Sequence, residues 1–219
     1  MSDPLLVRLL DLAVGAALVA AVVVLWRRGL RAIIGALAVQ GAAVAAVALL
    51  LGLREGRLEL LVVGSLIFGV KALAVPFALR RMLRDDPLAR ETSPLVNVPA
   101  SLVIAAVLVA LAFLSTSSVV ALAPSPALRA LPLGMGVSLV GFFVLVTRRK
   151  AVSQVVGFLL LENGIALVAL LGTSGVGLTV EMGAALDVLL AVLVLQILTT
   201  RMRAKFGNLD LDQMQELHD

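Results

Sequence analysis

The chain has 219 residues, 61% of them hydrophobic and only 15% charged, with a mean hydropathy of +1.12. A soluble domain has about 45–50% apolar and roughly 25% charged residues, and a core of this size cannot bury the excess, so a soluble globular fold is excluded. Seven bilayer crossings of about 20 residues each would use about 140 positions, close to the number of apolar residues in the chain. Cysteine is absent and the one histidine, His218, sits in a polar tail. No iron–sulfur cluster, disulfide or metal is therefore expected in this chain, and any electron chemistry belongs to partners. The net charge of +4 reads as a topological signal and not as a nucleic-acid footprint.

In chain order, the apolar runs are Leu9 to Trp26, Ala32 to Leu53, Leu58 to Leu79, Val98 to Phe113, Leu131 to Val146, Val152 to Gly172 and Val180 to Thr200. Each is long enough to be a spanning helix. The expected fold is an all-α integral membrane protein of about seven transmembrane helices. The opening residues MSDP carry an acid, and Arg27 and Arg28 follow the first run instead of preceding it, so no cleaved signal peptide is expected.

Lys and Arg divide unevenly between the two sides that seven helices create. Arg27, Arg28, Arg31, Arg80, Arg81, Arg84, Arg90, Arg148, Arg149, Lys150, Arg201, Arg203 and Lys205 fall on one side, and Arg8, Arg54, Arg57 and Arg129 on the other. With Lys71 left inside the membrane, these 13 and 4 account for all 18. The positive-inside rule makes the rich side cytoplasmic, with the N-terminus outside and the C-terminus inside. The arginine clusters are read as topology signals.

A shift of about 122 positions lays Arg28 on Lys150, Gly35 on Gly157, Gln40 on Glu162, Glu59 on Glu181 and Ser65 on Asp187. The implied organisation is two parallel three-helix repeats joined by one extra helix. Residues 1–82 form the first repeat, and 83–130 a loop, the fourth transmembrane helix and a second loop. Residues 131–203 form the second repeat and 204–219 a cytoplasmic tail.

An ionisable side chain in mid-bilayer costs about 2.5–3.5 kcal/mol on insertion scales, so it usually faces a partner or a water path. Glu162, Asp187 and Lys71 fall deep within predicted spans and could share one central layer. Lys71 precedes Pro76, which deprives the Ala72 carbonyl of its helical donor and predicts a kink or a water beside the ammonium. Asp187 has the small neighbours Gly183, Ala184 and Ala191. Glu162 is followed by Asn163, while Gly157 and Gly164 form a smooth seam on another face. Two readings stand at this point: a proton relay through Glu162, Asp187 and Lys71, or structural ion pairing. Gln40 and Gln196 fit interhelical hydrogen bonds better than relay duty, and Glu59 and Glu181 fit solvated helix ends. No Walker loop, zinc spacing, nucleophile elbow or dinucleotide fingerprint is present.

The stretches RRKAVSQVVGFLLLENGIALVALL, EMGAALDVLLAVLVLQIL, GVKALAVPFAL and FGNLDLDQMQEL together resemble component E of the hydrogenase-4 type (group 4) membrane-bound hydrogenases over nearly the whole chain. The motifs are Glu162-Asn163-Gly164, Lys71 with Val75-Pro76, Asp187 before an apolar run, and Gly207-Asn208-Leu209-Asp210. The triplet from 131 to 203 is also similar to the K-type subunit of respiratory complex I and to the C subunit of multisubunit cation/proton antiporters. In those families a middle-helix glutamate belongs to a chain of charges along the membrane plane. Here Arg148-Arg149, Gly157 and Asn163 match, but the family's acid position falls on Leu159 and the carboxylate appears one turn on, at Glu162, about 60° around the helix.

The resemblance implies a non-catalytic membrane-arm subunit of a membrane-bound hydrogenase or complex I-like respiratory complex, in a bacterial or archaeal plasma membrane. Proton or sodium translocation would run through Glu162, Asp187 and Lys71, supported by Gln40, Asn163, Gln196 and Pro76. Iron–sulfur clusters and a nickel–iron centre are expected in partner subunits. The expected partners are antiporter-like and other membrane subunits, peripheral electron-transfer subunits and lipid, with no nucleic acid. The alternatives are a purely structural scaffold for an antiporter-like subunit and a subunit of a cation/proton antiporter. The charge asymmetry predicts that cysteines introduced at Ser2 and Asp219 label from opposite sides of the membrane; labelling of both from the cytoplasm would overturn the seven-helix count.

Overall fold

The computed structural model describes residues 3–82, 95–122, 125–149 and 151–173. Among these residues the fold is all helical, with six helices long and apolar enough to cross a membrane. They are α1 (Asp3–Trp26), α2 (Leu30–Glu55), a third span built from α3 (Leu58–Ile67), a π turn (Phe68–Ala74) and α4 (Val75–Met82), then α5 (Val98–Leu122), α6 (Leu131–Thr147) and α7 (Ala151–Thr173). These six coincide with the first six predicted runs. The seventh run, Val180 to Thr200, and the tail with His218 lie outside the described residues.

Helix ends follow local chemistry. Gly56 ends α2 in the left-handed region at φ 67°, and its N–H and that of Arg57 both bond the Gly52 carbonyl, a closure that a Cβ would strain. Asn97 caps α5 by accepting the Ala100 N–H at 2.9 Å, with Pro99 in the first turn, where its missing N–H does no harm. The predicted end of this helix, Phe113, is too early by nine residues, since α5 continues to Leu122. Its polar run does not break it, because Ser115 and Thr116 each donate to the Ala112 carbonyl and Ser117 to that of Leu114. A hydroxyl that returns its proton to the preceding turn carries no exposed polarity into lipid.

The connections from α1 to α2 and from α2 to α3 span three residues and two, so each pair is antiparallel. Arg148, at the end of α6, donates to the last carbonyls of α1, which puts those two C-termini side by side. α1 and α6 therefore run in the same direction, and α2 and α7 both run back. The α6–α7 pair is the closest. A Cβ on Gly157 would meet the Leu145 backbone at 2.6 Å, while one on Gly141 would strike Leu161 and one on Gly164 would strike Ser138. The smooth seam read in the sequence is thus the face that packs on α6. α5 is peripheral, touching α6 and α1 and presenting Val103, Val107, Leu111 and Leu114 outward, as expected of a surface facing lipid or another subunit.

The interior is divided into two apolar layers. One contains Leu10, Val14, Val44, Val47, Leu51, Leu60, Ile67, Val137, Leu167 and Leu171. The other contains Val24, Ile33, Leu37, Val75, Leu79, Val144, Val156 and Leu160. Each of α2, the third span and α7 crosses from one layer to the other, and at the crossing points lie Gln40 beside Gly41, the π turn with Lys71, and Glu162 with Asn163. The helices thereby bring their polar residues to one level.

Candidate functional site

Lys71 and Glu162 meet at that level. Lys71 Nζ lies 2.5 Å from Glu162 Oε1, with the lysine side chain 5% exposed and the glutamate 17%. Each residue sits near the middle of its span, so neither head group can reach water by snorkelling along its own helix. A lone charge at this depth would be expensive, whereas two opposite charges in contact largely offset each other's desolvation.

The Lys71 backbone is shaped by Pro76. The expected break is taken up as a π turn, in which the Val75 N–H bonds the Val70 carbonyl, five residues back. In this register the donor for the Lys71 carbonyl would come from residue 76, and proline has none. That carbonyl is met instead by α2, where a Cβ on Gly41 would lie 2.6 Å from the Lys71 oxygen and 2.9 Å from its Cβ. Glycine alone allows this approach, which a Cα–H···O contact can support. Widened turns of this kind re-aim a side chain and recur at functional sites.

A second polar chain starts beside the pair. Asn163 Nδ2 donates to Gln40 Oε1 at 3.0 Å, and Gln40 Nε2 donates to the Ala17 carbonyl of α1 at 3.4 Å. Gln40 is fully buried and Asn163 is 2% exposed. Glu162 Oε2 and Asn163 Oδ1 are buried with no hydrogen-bond partner among the described residues, and both residues line a cavity of about 10 Å³ with Lys71, Leu37, Val75 and Leu159.

The structure therefore brings together Glu162, Lys71, Asn163 and Gln40, with Pro76 acting through the π turn. Asp187, Gln196 and Glu181 lie outside the described residues. Glu59 is exposed at the start of α3, with Arg57 at 3.5 Å, an arrangement worth little energetically. Among the described residues no cluster of His, Cys, Asp and Glu could hold a metal ion.

Arg148 has a packing role besides its place in a cluster read as a topology signal. It is only 4% exposed, and its Nη2 donates to the Val24 carbonyl at 2.7 Å and to that of Leu25 at 3.2 Å. A guanidinium satisfying the orphan carbonyls of another helix end is a cap and a clamp between α1 and α6. Gly41 was also not singled out, although a glycine beside a buried glutamine in mid-helix signals close backbone approach.

Fold and site together define a multi-pass helical membrane protein with a paired lysine and glutamate in its interior. The chain is 48% identical over 212 residues, 96% of each chain, to the uncharacterized protein Rv0085 of Mycobacterium tuberculosis (strain ATCC 25618 / H37Rv), and belongs to the same family. It is more distantly similar to hydrogenase-4 component E of Escherichia coli (strain K12) and of Shigella flexneri, at 29% identity over 160 residues, covering 73% of this chain and 74% of each relative. No family model and no solved structure matches it.

Two glycines of α2 give a direct test of the packing at Lys71. A Cβ on Gly35 meets nothing nearer than the flexible end of Arg80 at 3.9 Å, so Gly35→Ala should be neutral or stabilise the helix by up to about 1 kcal/mol. Gly41→Ala should destabilise by about 1–3 kcal/mol, because backbone must move. Thermal unfolding of both variants in lipid nanodiscs checks the contrast.

Proposed function

We propose that this chain is a non-catalytic membrane subunit of a hydrogenase-like or complex I-like respiratory assembly, and that Glu162 and Lys71, with Asp187, take part in proton or sodium movement coupled to redox chemistry in partner subunits. The observation that carries this reading is the Lys71–Glu162 contact in mid-membrane, with one carboxylate oxygen engaged and the other left without a partner. A carboxylate in contact with an ammonium changes the energy of that ammonium whenever its own charge changes. Such a pair can pass an electrostatic signal along the membrane plane. The similarity to hydrogenase-4 component E supports membership of a multisubunit complex. Iron–sulfur clusters and a nickel–iron centre belong to partners in this reading, as do antiporter-like and peripheral electron-transfer subunits. The membrane is the bacterial or archaeal plasma membrane, with the N-terminus outside.

The relation to K-type and antiporter C subunits gains support from the cavity. Leu159, where those families place their acid, lines the same cavity as Glu162. Positions 159 and 162 thus border one cavity together with Lys71. The parallel course of α1 with α6 and of α2 with α7 fits the proposed parallel duplication.

A scaffold reading also has an observation in its favour, since the ion pair ties the third span to α7. Glu162→Gln separates the two. Glutamine keeps an oxygen for the Lys71 ammonium but does not titrate, so the complex should still assemble while proton or sodium uptake into vesicles, normalised to assembled complex, falls sharply. Asp187→Asn should behave alike. Wild-type uptake in both variants would rule out the relay and leave the scaffold.

A further inference from the structure

Of the two unpartnered oxygens at the ion pair, that of Asn163 has its orientation set from α1. A backbone carbonyl can only accept, so the contact with Ala17 requires Gln40 to present its Nε2 there, and Gln40 Oε1 is then left for Asn163. That acceptor in turn requires the Asn163 Nδ2 at 3.0 Å, which leaves Asn163 Oδ1 without a donor. Glu162 Oε2 is in the same condition. The two acceptors belong to neighbouring residues that line one cavity, where the other side chain among the described residues that carries N–H bonds is Lys71, whose ammonium bonds Glu162 Oε1.

A cavity of about 10 Å³ is at the lower limit for one water molecule, which also needs two to four polar partners. We propose that this cavity binds a single water that donates one proton to Glu162 Oε2 and the other to Asn163 Oδ1, with its lone pairs toward the Lys71 ammonium. Water matches the site because it brings two donors to two acceptors. A metal cation would be placed against an ammonium, with the three apolar side chains Leu37, Val75 and Leu159 completing its surroundings. Gln40 and Asn163 are then positioning residues, which keep an acceptor and not a donor facing the carboxylate. This inference deepens the relay reading. A proton delivered to the bound water passes to Oε2, leaving a neutral acid and restoring the water, while Oε1 remains with Lys71.

The test uses the full chain in lipid bilayers with asparagine and glutamate isotopically labelled. Solid-state NMR then follows magnetisation transfer from water to the side chains of Asn97, Asn163 and Asn208, with signals assigned by single substitutions. Asn163 is expected to receive magnetisation as exposed Asn97 does, although it is 2% exposed. Gln40→Leu frees the Asn163 amide to turn its Nδ2 to the carboxylate, so transfer to Asn163 should be lost while the Lys71–Glu162 contact persists. Absence of transfer in the unaltered chain overturns the water. A shift of the Glu162 carboxyl signal when sodium replaces choline assigns the cavity to a cation instead. Neither outcome depends on transport, so this site and the relay reading can fail separately.

Discussion

An ammonium and a carboxylate held in contact halfway through an apolar bundle constrain everything around them. Lys71 and Glu162 lie between two layers of aliphatic side chains, and neither layer offers a polar atom to a charge that strays from its partner. The third span and α7 must therefore meet at one height and one rotation. α2 must fit against both, which it does by presenting glycine to the Lys71 carbonyl and glutamine to Asn163. The π turn belongs to the same constraint: a regular helix through Pro76 would leave the Ala72 carbonyl without a donor, whereas the π register moves that vacancy to the Lys71 carbonyl, where Gly41 approaches.

The polar groups at this level are connected, and the connection crosses four helices. From the third span the path runs through Lys71 to Glu162 on α7, and the adjacent Asn163 leads through Gln40 of α2 to the α1 backbone. Arg148 closes a separate link between α1 and α6 at the end of the bundle. One cation thus stabilises a helix terminus, where two free carbonyls await a donor. The other sits where its carboxylate partner retains an uncommitted oxygen. That difference in satisfaction separates a clamp from the site at which we propose proton exchange.

Hydropathy alone located six spans, because a bilayer demands long unbroken apolar runs and the chain supplies them between short polar turns. It failed at the end of α5, where Ser115, Thr116 and Ser117 look like a boundary but bond back onto their own helix. Within the site, Lys71, Glu162, Gln40 and Asn163 were legible as polar residues at mid-span, and Pro76 as a disturbance. Which of them touch depends on helix rotation and on close approach at Gly41, and neither is written in composition. Arg148 shows the limit most clearly. Beside Arg149 and Lys150 it reads as one more cytoplasmic charge, and only the neighbouring end of α1 turns it into a buried cap.

The central claim is that Lys71 and Glu162 form one interacting unit at the heart of the bundle. A double-mutant cycle on the full chain in nanodiscs, with Lys71→Met, Glu162→Leu and the double variant compared by reversible unfolding, measures this directly. Removing one partner of a buried pair costs roughly 3–5 kcal/mol, and replacing both with apolar groups costs far less. The double variant should therefore be more stable than either single variant. Losses that simply add, with the double variant the least stable of the three, would contradict the pairing.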